Sequence, residues 1–147
     1  MAHKFLNRAS RDYHFTQEFE AGLSLTGAEA KSLRTQGASF SDSRVTFAAS
    51  GQLLLLNFHI PAYPFAVSTG YTPDRSRPLL LKKSELNRLA SFKKQGYSLI
   101  PISIYLKRRW WKVKIAAGRR LRKYEKRRQI KDKENKREMD KSLKRNK

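Results

Sequence analysis

The sequence contains no cysteine and no long apolar run. Without cysteine there is no thiol nucleophile, disulfide bond or thiolate metal site, which fits a reducing compartment. The first ten residues, MAHKFLNRAS, lack the apolar core of a signal peptide, and no run approaches the ~18 apolar residues of a membrane span. We therefore expect a cytoplasmic protein with no membrane partner.

Patterns typical of catalysis or metal binding are also missing. The three histidines, His3, His14 and His59, have no carboxylate or second histidine at ligand spacing, so no metal site is predicted. There is no serine nucleophile elbow and no glycine loop that would hold a phosphate. The sequence thus predicts a binding protein without a cofactor rather than an enzyme. For His59, a structural hydrogen bond and a contact with phosphate or ribose both remain open.

Negative charge is scarce. The 147 residues contain 33 Lys and Arg against 12 Asp and Glu, a formal charge of +21. Such an excess indicates a polyanionic partner. A membrane surface would require a basic helix with a bulky apolar face, which the basic C-terminal part lacks, so RNA or DNA is the better candidate.

The positive charge is concentrated towards the C-terminus. Residues 107–147 contain 20 Lys and Arg against five acidic residues, whereas the first 106 residues contain 13 against seven. The 39% apolar content is enough for one modest core. We therefore predict a compact domain at 1–118 and a basic tail at 119–147.

Apolar periodicity predicts short antiparallel strands. Residues 12–25 alternate between apolar and polar side chains, as a half-buried strand does. Residues 43–60 read as a hairpin with Ser50 and Gly51 as its turn, and residues 97–117 as a second hairpin joined by 107–109. Helices are predicted between these strands without a repeated βαβ order. The pattern favours a mainly β fold: an OB-fold-like closed antiparallel barrel with flanking helices.

The two predicted helices have recognisable ends. In LTGAEAKSLRTQG, residues 25–37, Thr26 and Glu29 fit a T-x-x-E capping box, and Gly37 can end the helix. In residues 83–96, Ser84 is the predicted N-cap and Gly96 follows the last turn. Glu29 is explained locally as a cap, yet a carboxylate can also accept hydrogen bonds from base amino groups. Both roles remain open.

A long segment without periodicity, residues 58–78, contains four of the five prolines. Loops of this length in small domains are usually functional or disordered. Aromatic and guanidinium groups are what unpaired bases stack on. The alternative is that Phe65 and Val67 merely pin the loop to the barrel. The stacking candidates are Tyr63, Phe65, Tyr71, Arg75 and Arg77.

The tail is rich in Lys, Arg and Glu, a composition that favours helix. Its apolar residues form only a broken stripe, too thin to dock on a core. We expect it to be disordered in the free protein and helical once RNA phosphates neutralise it. The alternative is a solvated charged tail that only aids solubility.

Several long strings resemble one family. GAEAKSLR at 27–34 and LLNFHIPAY at 55–63, with matching segments from Asn7 to Gly118 in the same order, are similar to the SsrA-binding proteins, also called small protein B. The resemblance implies a non-catalytic OB-type barrel that binds the tRNA-like part of transfer-messenger RNA (tmRNA) and takes it to bacterial ribosomes stalled on broken messages. A general basic OB-type ribosomal or translation protein that binds structured rRNA is the alternative.

The resemblance also assigns residues. Glu29 and Asn57 correspond to the surface that grips the RNA elbow, and neighbouring positions in the strings and the loop complete the predicted set. We expect the protein to act as a monomer. The predicted RNA-binding residues are Glu29, Lys31, Arg34, Asn57, His59, Tyr63, Arg75 and Arg77.

In the family, the basic tail enters the decoding centre of 16S rRNA and the empty message channel as a helix. This chain has GRRLRKYEKRRQIK where the family pattern is two residues shorter, and Glu125 replaces an aspartate. Of the pair Trp110 and Trp111, one ring is expected to face the core, and it remains open whether the other stacks or is simply exposed. The tail residues implied at the ribosome are Arg119, Arg120, Tyr124, Glu125, Lys126, Arg127, Ile130, Lys131, Lys133, Lys136 and Arg137.

Overall fold

The computed structural model describes residues 3–67 and 69–145, and its regular elements are as follows. The strands are β1 (Lys4–Leu6), β2 (Tyr13–Leu23), β3 (Ser39–Phe47), β4 (Leu53–His59), β5 (Arg77–Leu80), β6 (Ser98–Lys107) and β7 (Trp110–Arg120). The helices are a 3-10 helix (Arg8–Asp12), α1 (Gly27–Thr35), α2 (Lys83–Lys94) and α3 (Lys123–Arg145). In this described part, no helix is long and apolar enough to cross a membrane.

The strands form one antiparallel sheet that curls into a nearly closed barrel. Its order is β1-β6-β7-β2-β5-β4-β3, and β3 also lies against β6. The apolar sides of the strands fill the interior, with Leu53, Leu55, Ile104, Val113 and Ile115 fully buried. This confirms the mainly β, OB-like barrel that the sequence predicted.

The strand and hairpin predictions hold with one correction. In β2, Phe19, Ala21 and Leu23 alternate into the core. Strand pairing continues one residue past the ends of β3 and β4, because the Ala48 amide donates to the Gln52 carbonyl at 2.8 Å, and this leaves a loop of three residues, 49–51. Gly51, at φ +88°, occupies the left-handed position after the turn rather than its centre.

The helix ends were predicted in part. The Thr26–Glu29 capping box is present. Helix α2 begins two residues earlier than expected, with Lys82 as an N-cap that makes no side-chain hydrogen bond, so the prediction of Ser84 was wrong. Gly96, at φ +91°, follows the last turn as predicted, and the Tyr97 amide donates to the Phe92 carbonyl at 3.0 Å.

The last strand of the barrel extends beyond residue 118. Strand β7 continues to Arg120, two residues past the predicted boundary, and pairs there with Tyr13 and His14 of β2. At Gly118 the strands are so close that a Cβ atom would lie 2.6 Å from the His14 carbonyl oxygen. Helix α3 forms most of the remaining described tail, and its residues 127–143 are all exposed. Disorder of the free tail and the division at residue 118 stay predictions.

Candidate RNA-binding surface

Glu29 lies where α1, β5 and the loop 60–76 meet. Its Oε1 accepts a hydrogen bond from the Thr26 amide at 3.0 Å, while the Glu29 amide donates to Thr26 Oγ1 at 3.2 Å. The capping role predicted from the sequence is therefore confirmed. It uses only one of the roughly four lone-pair sites of the carboxylate.

Two arginines that lie 46 and 48 positions later in the chain fill most of the remaining sites. Arg75 Nε lies 3.1 and 3.0 Å from the two carboxylate oxygens of Glu29, and its Nη2 also donates to Oε1. Arg77 Nε donates to Oε2 at 2.7 Å. The Tyr71 hydroxyl lies 3.4 Å from the same oxygen. The carboxylate of Glu29 is thus saturated by groups of the protein.

Arg77 links the loop to the barrel. Its Nη1 donates to the Phe58 carbonyl of β4, and its Nη2 donates to the Pro73 carbonyl at 2.8 Å. The Tyr71 hydroxyl, 3.3 Å from Nη2, donates to the Ile60 carbonyl at 2.8 Å. A buried guanidinium with all its donors engaged is a rigid junction. We call Glu29, Tyr71, Arg75 and Arg77 the buried ion cluster.

Within the cluster, the carboxylate of Glu29 is held in its ionised form. Burial by itself raises the pKa of Glu29, but the hydrogen bonds from Arg75, the Thr26 amide and Arg77 outweigh it and lower the pKa to about 2. The side chains of Glu29 and Arg77 are fully buried, whereas that of Arg75 is 32% exposed. One negative and two positive charges leave a net positive charge, which only Arg75 brings to the surface.

The surface above the cluster is basic and aromatic. Lys31 and Arg34 are exposed on α1, and Lys31 Nζ lies 6.0 Å from the centre of the Tyr63 ring. Phe65 contacts Tyr63 edge-on at 5.5 Å between ring centres and is 87% exposed. Val67 is exposed as well. Neither side chain is inserted in the core, so the alternative that they pin the loop to the barrel was wrong.

Asn57 occupies an irregular point of β4. Three residues of β3, 41–43, lie opposite it, between the pairs Phe40–Phe58 and Arg44–Leu56. Its φ is +59°, a left-handed conformation that asparagine adopts more readily than most residues. The Ser43 hydroxyl donates to its carbonyl at 2.8 Å. Asn57 therefore shapes the strand, and its side chain is partly exposed.

His59 has a carboxylate partner that sequence spacing did not reveal. Its Nδ1 lies 3.0 Å from Asp74 Oδ1, fifteen residues away in the loop, and both side chains are more than a third exposed. Within residues 3–67 and 69–145, Nε2 of His59 makes no hydrogen bond. The structural hydrogen bond is thus present, and the second nitrogen can still reach a ligand.

The predicted tail residues divide into three groups. The Arg119 guanidinium stacks on Tyr97, 4.4 Å from the ring centre, and Arg120 is exposed at the end of β7. Glu125 accepts from the Arg122 amide at 3.3 Å at the start of α3. The side chains of Tyr124 and Lys126 lie outside the described residues. The exposed residues on α3 are Arg127, Ile130, Lys131, Lys133, Lys136 and Arg137.

Comparison with known proteins gives a consistent assignment. The family model described as "SmpB protein" matches residues 5–145. An SsrA-binding protein of Thermobifida fusca is 42% identical over 139 residues, which cover 94% of this chain and 86% of that protein. An SsrA-binding protein of Fervidobacterium nodosum is 42% identical over 143 residues, covering 95% of this chain and 94% of the relative.

A solved structure shares the fold as well as the sequence. It is described as "tmRNA-SmpB: a journey to the center of the bacterial ribosome". The similar chain superposes with a TM-score of 0.65 at 34% identity, covering 88% of this chain and 95% of that chain. The family match over residues 5–145, the identity to SsrA-binding proteins and the shared fold together show that the chain belongs to the SmpB family.

Proposed function

We propose that this protein binds tmRNA and carries it to stalled bacterial ribosomes, where the pair rescues the ribosome and tags the unfinished peptide. Its relatives are named SsrA-binding proteins, and the similar solved structure is described as tmRNA-SmpB in the ribosome. The formal charge of +21 fits a polyanionic partner such as an RNA. In this proposal the protein acts by binding, as a monomer, in the cytoplasm where ribosomes are.

The observation that carries the proposal is the buried ion cluster beneath a basic and aromatic surface. The cluster orders a proline-rich loop without placing a negative charge on the outside. Exposed cations position an RNA by its phosphates, whereas aromatic rings and polar side chains recognise unpaired bases and 2′-hydroxyls. The residues we assign to direct contact are Lys31, Arg34, Asn57, His59, Tyr63, Phe65 and Arg75.

Glu29 and Arg77 have a different part in this proposal. Both were predicted to touch RNA, but their side chains are buried and saturated by protein groups. A contact between Glu29 and a base would require one of these bonds to break in a site shielded from water, which is costly. We assign a positioning role to both residues: they hold Arg75 and the loop in the arrangement that binds RNA.

The tail supplies a second site. Helix α3 presents cations all round its exposed length and buries no apolar stripe between residues 127 and 143. We propose that residues 121–147 bind the ribosome near the decoding centre of 16S rRNA, as an arm separate from the barrel domain. Joining two sites in one chain raises the effective concentration of the tail at its target.

The experiment that tests the function is affinity purification of the tagged full-length protein, followed by sequencing of the bound RNA. We expect tmRNA to dominate over its share of total RNA, and the enrichment to persist after ribosomes are removed. Recovery of rRNA alone, in proportion to its abundance, would instead favour the general rRNA-binding protein and overturn the proposal.

A further inference from the structure

The turn between β6 and β7 carries an exposed tryptophan that the surface described above does not use. Trp110 is 71% exposed, while Trp111 beside it is buried. Leu80 at the end of β5 is exposed as well. Together they border a groove of about 390 Å³ on the barrel. Its lining includes Leu25, Ala30, Leu80, Arg109, Trp110 and Lys112.

The positive charge around this groove indicates which kind of ligand it binds. Two of its lining residues, Arg109 and Lys112, are basic, and no acidic side chain lines it within the described part of the chain. Lys112 lies within electrostatic reach of the Glu20 carboxylate, outside the groove, but an apolar partner surface would offer neither cation a further counter-charge. A nucleotide has both a base for the apolar floor and a phosphate for the cations. The groove volume lies within the roughly 300–1,000 Å³ of small-ligand sites.

Position in the fold connects the groove to the proposed RNA surface. Helix α1 contributes Ala30 to the groove, and on its other side Ala28 faces the loop residues Tyr63 and Tyr71. One helix thus separates the two sites, and its Lys31, next to Ala30 in sequence, is exposed. An RNA that crosses α1 would contact both sites.

We propose that this groove binds an unpaired nucleotide of the RNA partner, with its base stacked on Trp110 and its phosphate held by Arg109 and Lys112. The proposal rests on the proposed function, since it adds a second contact to the same RNA. Of the two roles that the sequence left open for the exposed ring, the proposal takes the stacking platform.

The test uses the fact that the chain has only two tryptophans, one exposed and one buried. Quenching of tryptophan fluorescence by acrylamide, a neutral quencher, therefore reports mainly on Trp110. We expect a tmRNA transcript or a short oligouridine to protect the wild-type protein from quenching, and a blunt RNA duplex to protect it much less. In Trp110→Phe, the residual quenching of Trp111 is expected to be unchanged by RNA.

Affinity for the tmRNA transcript gives the second readout. Trp110→Ala is expected to weaken binding by about 5- to 150-fold, the effect of losing one stacked base, and Trp110→Phe to retain most of the affinity. Leu6→Ala, which removes an equally exposed apolar side chain outside the groove, is the matched control. Thermal unfolding of each variant checks that the fold is intact.

The outcomes separate this proposal from the function on which it rests. If the wild-type protein fails to bind tmRNA, both are overturned. If wild type binds and Trp110→Ala binds equally well, only the groove proposal falls. Should Trp110→Ala keep its tmRNA affinity but lose association with ribosomes, the groove contacts a ribosomal component instead, and the proposal is again overturned.

Discussion

Replacing Glu29 with glutamine separates the charge of this side chain from its capping role. Glutamine keeps an oxygen for the Thr26 amide, but it leaves Arg77 buried without a counter-charge. A pKa lowered from 4.5 to about 2 corresponds to about 3 kcal/mol, at ~1.36 kcal/mol per pH unit. Removing one partner of a buried ion pair costs about 3–5 kcal/mol, so the two magnitudes agree.

We therefore expect Glu29→Gln to lower the free energy of unfolding by about 3 kcal/mol and Tm by roughly 10 °C. Urea denaturation followed by fluorescence of the buried Trp111 measures this loss. Thr26→Ala, which removes the cap without isolating a charge, is expected to cost only about 1 kcal/mol. Glu20→Gln is the matched control: Glu20 accepts hydrogen bonds from Tyr105 and Lys107 but is 40% exposed, so the loss is expected at about 0–1 kcal/mol.

The pH dependence of the same variant provides an independent check. The pKa of Glu29 is lower in the folded protein than its ordinary value of 4.5. Its contribution is therefore complete above pH 4.5 and is lost as the pH falls towards 2. The difference in unfolding free energy between wild type and Glu29→Gln is expected to shrink over this window. A loss below about 1 kcal/mol at pH 7, or a difference independent of pH from 5 to 2, would refute the charge-pairing account.

Three further perturbations test other parts of the structure. Gly118→Ala is expected to destabilise the barrel by about 1–3 kcal/mol in a denaturation experiment, since its Cβ meets the His14 carbonyl, whereas Gly27→Ala has open space and is expected to be neutral or slightly stabilising. Lys31→Gln is expected to reduce the slope of log affinity against log salt by about 1 in a tmRNA titration, and an unchanged slope would remove Lys31 from the phosphate contacts. Removing residues 121–147 is expected to abolish tagging of stalled peptides in a translation assay while most tmRNA affinity remains; loss of RNA binding to background would contradict the two-site proposal.

The parts of the fold that depend on neighbours a few residues apart were predictable from the sequence. The alternation in β2, the Thr26–Glu29 capping box and the glycine after α2 each involve residues no more than a few positions apart. Their physical causes, periodicity, capping hydrogen bonds and left-handed glycine, are visible in a short window. The hairpin that contains Gly51 was predicted, but the length of its loop was not. The same residues are compatible with a two-residue turn and with a three-residue loop.

The candidate site was predictable as a set of residues but not as an arrangement. Glu29 and Arg75 are 46 positions apart, and the barrel must close before they meet. The contact of His59 with Asp74 and the three residues of β3 opposite Asn57 were also not predictable. Both depend on the strand register, which a short stretch of sequence does not show. The sequence contains only indirect signs that Glu29 pairs with arginines: a lone acidic residue in a basic helix, and an R-S-R string at 75–77.

The close packing at Gly118 bears on how the two proposed sites communicate. A glycine ahead of a basic arm would ordinarily suggest a flexible joint, yet here the neighbouring strand leaves no room for the backbone to swing. The point at which the arm leaves the barrel is therefore fixed by β7, and the Leu121 amide adds a hydrogen bond of 2.8 Å to the Asp12 carbonyl. In the two-site proposal, orientation of the barrel on the RNA fixes where the arm begins, so docking of one part restricts the volume that the other must search.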